Sequence, residues 1–151
     1  MKNLVKLIST SFGVGYLPLI PGTAASCLAV LIYLGVKNNL YIYSLVLIAC
    51  LILGYLVSKK AEEVFQKKDP SKVVIDEVAG MLLALWAVPF DKIWVIVGFI
   101  IFRALDMLKP YPADKIEKSG GGFGIMGDDL IAGLYTNIAL QIAARVLFLW
   151  I

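Results

Sequence analysis

The sequence FRALDMLKPYPADKIEKSGGGFGIMGDDLIAG, residues 102–133, joins two apolar segments through a charged and then glycine-rich stretch. It opens with Arg103, Asp106 and Lys109, and their spacing of three predicts that neighbouring charges share one helix face. It ends with two adjacent aspartates at the start of another apolar run. Acids and bases crowded against hydrophobic segments predict a polar site at the edge of a helix bundle.

The composition is far more apolar than that of a soluble domain. The 151-residue chain is 60% hydrophobic and 17% charged, with a mean hydropathy of +0.86. Soluble domains are about 45–50% apolar and about 25% charged. We therefore expect one integral-membrane domain covering residues 1–151. The net charge of +3 and the short lysine clusters favour a cytoplasmic membrane face over nucleic acid. The absence of histidine excludes histidine triads and most catalytic zinc sites.

Five hydrophobic segments follow one another along the chain, and only one is close to the 20 residues that a spanning helix needs. They are residues 24–36, 40–58, 73–89, 93–108 and 128–151. Lysines directly after the 40–58 segment mark that end as cytoplasmic. The pattern predicts an all-α, polytopic membrane helical bundle with short or broken helices and a polar site at the cytoplasmic interface. The C-terminus would lie on the opposite side.

Local signals refine this picture. Residues 2–12 suit either an interfacial amphipathic helix or a frayed terminus. Glycines and prolines at residues 13–23 exclude a regular helix there, and Thr23 is a candidate N-cap whose helix start would face an anion. The glycines of residues 120–127 predict a loop with exposed N–H groups. Asp128 or Asp129 would then cap the last helix.

Separate segments bring acids and bases to the same predicted cytoplasmic edge. The acids are Asp76, Glu77, Asp106, Asp128 and Asp129, and the bases are Lys72, Arg103 and Lys109. A charge deep in a bilayer costs ~2.5–3.5 kcal/mol on insertion scales. We therefore expect these groups to converge on one another, on a metal or in a wet cavity. Read singly, each acid is equally well a helix cap, and the Arg103–Asp106 pair an intrahelical ion pair.

Carboxylates without histidine or a placed thiolate form an oxygen-only ligand set, which favours Mg²⁺ or Mn²⁺ over zinc. Arg103 and Lys109 would then hold a phosphate group. Motifs of other phosphoryl-transfer enzymes are absent, including Cys-x5-Arg, Asp-x-Asp and the P-loop. The prediction is a phosphoryl-transfer site, with direct attack by water and a covalent aspartyl-phosphate as open routes. A membrane transporter with an intramembrane acidic ion site and a non-catalytic scaffold remain alternatives.

Three blocks of the sequence resemble the phosphatidylglycerophosphatase A family. They are GVGYLPLIPGTAAS (residues 13–26), DPSKVVIDEVAG (residues 69–80), and FRALDMLKPYP followed by GGGFGIMGDDLIAG. The blocks occur in the family's order, and the similarity spans nearly the whole chain. The family usually reads PGT-x-GS in the first block, whereas this chain has Ala25 before Ser26.

The resemblance implies a bacterial inner-membrane enzyme that uses Mg²⁺ to convert phosphatidylglycerophosphate to phosphatidylglycerol. It implies that Glu77, Asp128 and Asp129 bind Mg²⁺, with Asp76 ligating or orienting. Asp106 belongs to the same catalytic set, and Arg103, Lys109, Lys72 and Thr23 would contact phosphate. The expected partners are this phospholipid and membrane lipids, without nucleic acid. The oligomeric state and the base remain open.

Overall fold

The computed structural model describes residues 1–68 and 70–149, and this part of the chain contains helices and no strand. The all-α prediction is confirmed. The helices are α1 (Lys2–Ser9), α2 (Pro21–Val36), α3 (Leu40–Phe65), α4 (Ile75–Leu85), α5 (Lys92–Leu108), α6 (Ala113–Glu117) and α7 (Gly121–Leu149), with a 3-10 turn at Val14–Tyr16. Three residues lie outside the described part of the chain. They are Asp69, in the DPSKVVIDEVAG block, and Trp150 and Ile151, at the end of the last predicted segment.

Helix α4 is the centre of the fold. It has 11 residues, of which nine are buried, so it is only about 16 Å long. Helices α2, α3, α5 and α7 all pack against it. Apolar residues occur on every side of α4, as expected for a helix surrounded by others. The helices around it instead place many large apolar side chains on the outer surface.

The close crossing of α4 and α7 depends on Gly80 and Gly133. A Cβ atom added at Gly133 would lie 2.3 Å from the carbonyl oxygen of Gly80. A Cβ atom added at Gly80 would lie 2.7 Å from the carbonyl oxygen of Asp129. The two backbones therefore touch, because neither glycine has a side chain that would keep them apart. This contact holds Asp129 beside the start of α4.

Polar side chains of α7 bind the free carbonyl groups at the end of α4. The Asn137 side-chain amide donates to the carbonyl oxygens of Ala84 (3.1 Å) and Trp86 (2.7 Å), and Gln141 donates to that of Trp86 (3.4 Å). The last carbonyls of a helix lack partners within the helix, and burial without partners is costly. Asn137 and Gln141 therefore supply hydrogen bonds to the carbonyl groups at the end of the central helix.

Within the described residues, one helix is long and apolar enough to cross a membrane. Helix α3 has 26 residues, its best 18-residue window has a mean hydropathy of 2.4, and only 22% of that window is buried. Helix α2 is also apolar, but its 16 residues fall short of a full span. The predicted segment at residues 40–58 is therefore the clearest spanning helix.

The glycine-rich stretch is helical, which contradicts the predicted loop. Helix α7 begins at Gly121, and only Gly120 and Gly121 in this stretch have left-handed backbones. Glycine serves close packing further on: a Cβ atom at Gly127 would lie 2.3 Å from Ile116 Cγ2 of α6. The predicted array of exposed loop N–H groups is accordingly wrong.

Two predicted helix caps are also wrong. Helix α7 starts seven residues before Asp128, so Asp128 and Asp129 lie inside the helix instead of capping it. Helix α2 starts at Pro21, two residues before Thr23, because proline with its fixed φ suits the first helical position. At the N-terminus, the alternative of an ordered helix is confirmed, since α1 buries Val5 and Ser9.

Candidate active site

A cavity of about 540 Å³ opens at the end of the bundle where α2 and α4 begin and α5 ends. The first turn of α4 contributes two acids, and α7 contributes two more from its third turn. Of the nine residues predicted for the site, the structure brings eight to this cavity. They are Thr23, Asp76, Glu77, Arg103, Asp106, Lys109, Asp128 and Asp129.

Three carboxylates meet in one wall of the cavity. Asp76, Glu77 and Asp129, here called the acidic trio, each place one oxygen within 4.8 Å of the other two. Asp76 and Asp129 are buried, and Oδ1 of Asp76 accepts the backbone N–H of Glu77 at 3.1 Å. Oε2 of Glu77 is buried without a hydrogen-bond partner among the described residues. The ionised form of such closely spaced, buried acids is unfavourable unless a positive charge lies beside them.

Arg103 faces the trio from α5. Its Nη1 atom lies 2.7 Å from Asp106 Oδ2 and 3.5 Å from Ser26 Oγ, and Ser26 Oγ in turn donates to the Gly22 carbonyl at 3.0 Å. A Cβ atom added at Gly22 would lie 2.4 Å from Glu77 Oε1 and 3.2 Å from Arg103 Nη1. The start of α2 is thus in contact with both charges. Sequence reasoning missed Gly22 and Ser26, although their place in the PGT block was the available signal.

Lys109, at the end of α5, forms ion pairs with residues of α6 and α7. Its Nζ atom lies 2.6 Å from Asp128 Oδ2 and 2.8 Å from Glu117 Oε1. Although burial lowers the pKa of the Lys109 ammonium, hydrogen bonds to Asp128 and Glu117 raise it above its usual value, so the lysine is charged. Glu117 also lines the cavity, from α6, so this pairing draws α6 into the site. Oδ1 of Asp128 stays buried and unpartnered within the described part of the chain.

Lys72 lies apart from the other predicted site residues. Its Nζ atom is 5.0 Å from the centre of the Tyr16 ring, and Lys72 does not line the cavity, although Ser71 and Val73 on either side do. Thr23 lines the cavity from the first turn of α2.

The arrangement combines a compact group of oxygen donors with a guanidinium and an ammonium in one open cavity. Oxygen-only donors suit Mg²⁺, which binds through one or two carboxylates together with water and substrate phosphate oxygens. Arginine and lysine suit phosphate. Helices α2 and α4 also begin here, so their positive dipole ends favour bound anions.

Known proteins resemble this chain over most of its length. A relative from Bacteroides thetaiotaomicron, provisionally named a phosphatidylinositol-3-phosphatase, is 35% identical over 150 residues, covering 93% of this chain and 94% of the relative. The phosphatidylglycerophosphatase A of Escherichia coli is 37% identical over 137 residues, covering 89% and 80%. That of Haemophilus influenzae is 34% identical over 148 residues, covering 93% and 88%.

No solved structure matches the chain. The sequence model of the family described as phosphatidylglycerophosphatase A matches residues 7–144, nearly the whole chain. The resemblance drawn from the three sequence blocks is therefore confirmed. The named relatives are phosphatases, which does not favour the transporter alternative. The chain is an enzyme of the phosphatidylglycerophosphatase A family.

Proposed function

We propose that this protein hydrolyses the terminal phosphate of phosphatidylglycerophosphate, with Mg²⁺, at the cytoplasmic face of a bacterial inner membrane. The observation that carries the proposal is the acidic trio facing Arg103 and Lys109 across one cavity. Family membership supports the choice of substrate. The reaction forms phosphatidylglycerol and inorganic phosphate.

The acidic trio fits a divalent cation. Two ionised carboxylates at this separation repel each other by ~3 kcal/mol at an effective dielectric constant of about 20. Asp76, Glu77 and Asp129 would hold the ion, and the free Oδ1 of Asp128 would serve as a further ligand or as the base. Bound Mg²⁺ would supply positive charge that offsets this repulsion and polarises the phosphate.

The basic residues complete the proposed mechanism. Arg103 is fixed by Asp106 and Ser26, so its planar donors would bind two phosphate oxygens without a large loss of side-chain entropy. Lys109 would balance the charge that develops on the phosphate while it orients Asp128. Thr23 would offer a hydroxyl from the start of α2, and Lys72 would steer the anionic headgroup from outside the cavity.

The chain's surface supports the membrane placement. Helix α3 suits a full span, and exposed apolar side chains cover the outer faces of α5 and α7 at helical spacing. Most of the lysines lie at the cavity's end of the bundle, as in the cluster Lys59, Lys60, Lys67 and Lys68 at the end of α3. Positively charged ends stay in the cytoplasm. We therefore place the cavity at the cytoplasmic interface of a polytopic bundle.

Removal of divalent metal should abolish activity. Phosphate release from phosphatidylglycerophosphate in detergent micelles should fall to background in EDTA, because the repelling acids lose their counter-ion. Excess Mg²⁺ should restore it, whereas Zn²⁺ should restore it poorly, since zinc prefers nitrogen and sulfur ligands. Full activity in EDTA would rule out the metal mechanism.

Arg103→Lys should lower kcat/KM at least about tenfold, because lysine cannot reproduce two parallel donors to phosphate. Phosphate release on the same lipid measures this change. Arg145→Lys is the matched control, since Arg145 is exposed near the other end of α7, and it should leave kcat/KM unchanged. Equal rates for both variants would remove Arg103 from phosphate binding.

Phosphatidylinositol 3-phosphate is a second candidate substrate, favoured by the name of the Bacteroides relative. Both lipids present a phosphate monoester on a polar headgroup, so the cavity's charges suit either. Parallel assays with the two lipids at equal mole fraction separate the candidates. We expect a higher kcat/KM for phosphatidylglycerophosphate, and the reverse order would reassign the substrate.

A further inference from the structure

Leu19 has a backbone conformation and a setting that packing within the chain does not explain. Its φ is 74°, in the left-handed region that leucine rarely adopts. The N–H of Ile20 donates to the Pro18 carbonyl at 3.0 Å, which makes Leu19 the middle residue of a strained γ-turn. The side chain is nevertheless 98% exposed. A large apolar side chain is thus held in an unfavourable turn without being covered by the chain.

Leu19 stands at the mouth of the cavity that contains the acidic trio. It lines the cavity just before α2 begins, and Met107, which is 76% exposed, lines it from the last turns of α5. Ile93, Ile96 and Ile100 are also exposed and continue from Met107 toward the other end of α5 at helical spacing. An apolar stripe on the outside of α5 therefore ends at the opening of a charged cavity.

This combination matches an amphiphile whose charged end enters the cavity and whose apolar end stays outside. Arg103 and Lys109 within the cavity supply positive charge for a phosphate. A water-soluble phosphomonoester would gain nothing from the leucine and methionine at the mouth. A diacyl lipid would remove both side chains from water, which is favourable in proportion to the apolar area covered.

We propose that Leu19 and Met107 form a lateral entrance, at which the acyl-chain end of the substrate lies while its phosphate reaches the acidic trio. The proposal rests on the lipid phosphatase function proposed above. It makes the two residues determinants of specificity, which favour a membrane lipid over a soluble phosphate with the same headgroup. They contact no reacting atom, so their removal should raise KM and spare kcat.

The double variant Leu19→Asn/Met107→Gln tests the entrance. Asparagine tolerates a left-handed backbone and glutamine is a good helix former, so both changes remove apolar surface without disturbing the fold. Two substrates with one headgroup are compared: dioleoyl-phosphatidylglycerophosphate in mixed micelles, and the dihexanoyl form at concentrations where it is monomeric. We expect kcat/KM to fall about tenfold for the long-chain lipid, mostly through KM, and less than twofold for the short-chain one.

Control variants separate an entrance from general anchoring in the membrane. Phe12 also has a left-handed φ, 59°, and is 79% exposed, but it does not line the cavity. Ile142 is an exposed apolar residue of α7. Phe12→Asn and Ile142→Gln should each leave the ratio of the two kcat/KM values unchanged.

Each outcome decides between the proposals. If the unmodified enzyme hydrolyses both lipids, three results would overturn the entrance alone. They are an unchanged kcat/KM of the double variant on the long-chain lipid, an equal loss on both lipids, and an equal shift of the ratio in the control variants. Failure of the unmodified enzyme to release phosphate from either lipid would instead overturn the phosphatase function, and the entrance with it.

Discussion

Glu77→Gln should lose at least about 100-fold in kcat while the protein becomes no less stable. Glu77 is the member of the acidic trio with a buried oxygen that lacks a partner in the described structure. Glutamine has the same shape but no charge, so it would remove a repulsion between neighbouring carboxylates and also a proposed metal ligand. Activity should therefore fall without a loss of stability.

Phosphate release and thermal unfolding in detergent, each with and without Mg²⁺, measure both effects. Mg²⁺ should raise the Tm of the unmodified enzyme, because a ligand that binds only the folded state stabilises it. It should raise the Tm of Glu77→Gln less. Glu63→Gln is the matched control, since Glu63 lies on the exposed side of α3 away from the cavity. Retained activity in Glu77→Gln would contradict the proposed site.

Gly133→Ala should destabilise the protein by about 3 kcal/mol and also reduce activity. The new Cβ atom would lie 2.3 Å from the Gly80 carbonyl oxygen, which is backbone and has no rotamer to move into. Helices α4 and α7 would have to separate. Since these helices carry Glu77 and Asp129, their separation would also widen the acidic trio.

Gly35→Ala makes the same chemical change without the contact. Gly35 is in α2, and a Cβ atom there would meet nothing within 4 Å. Replacing glycine by alanine within a helix is otherwise favourable by ~0.5–1 kcal/mol. Denaturant unfolding should therefore show opposite signs for the two variants. Equal effects would indicate that the close crossing of α4 and α7 does not hold the site together.

The helical fold and most of the charged residues that line the candidate cavity could be predicted from the sequence alone. Charged groups such as Asp76 and Arg103 stood out because their burial beside apolar segments requires a partner. Which residue each charged group pairs with was harder to predict from the sequence. Lys109 was predicted to repeat the helical spacing from Asp106, yet it pairs with Asp128 and Glu117. Such pairings depend on how distant segments pack, which helical spacing does not report.

The glycine-rich stretch shows why other predictions failed. Clustered glycines are typical of loops, and nothing local distinguishes Gly122 or Gly127 from turn residues. Their role appears only when α3 and α6 lie against them, because tertiary contacts then outweigh the low helix propensity of glycine. Because α7 starts at Gly121, Asp128 and Asp129 lie in the helix interior, whereas the predicted loop would have put them at its N-cap.

The central position of α4 has a consequence for biosynthesis. A ribosome makes α4 well before α7, yet α7 supplies the Gly133 contact, Asp129 and the amide of Asn137 that binds the end of α4. Until then this short helix carries two acids and free carbonyl groups without their final partners. Until α7 is made, the acids and end carbonyls of α4 must therefore stay in contact with water or with other protein, and the candidate site is completed late in translation.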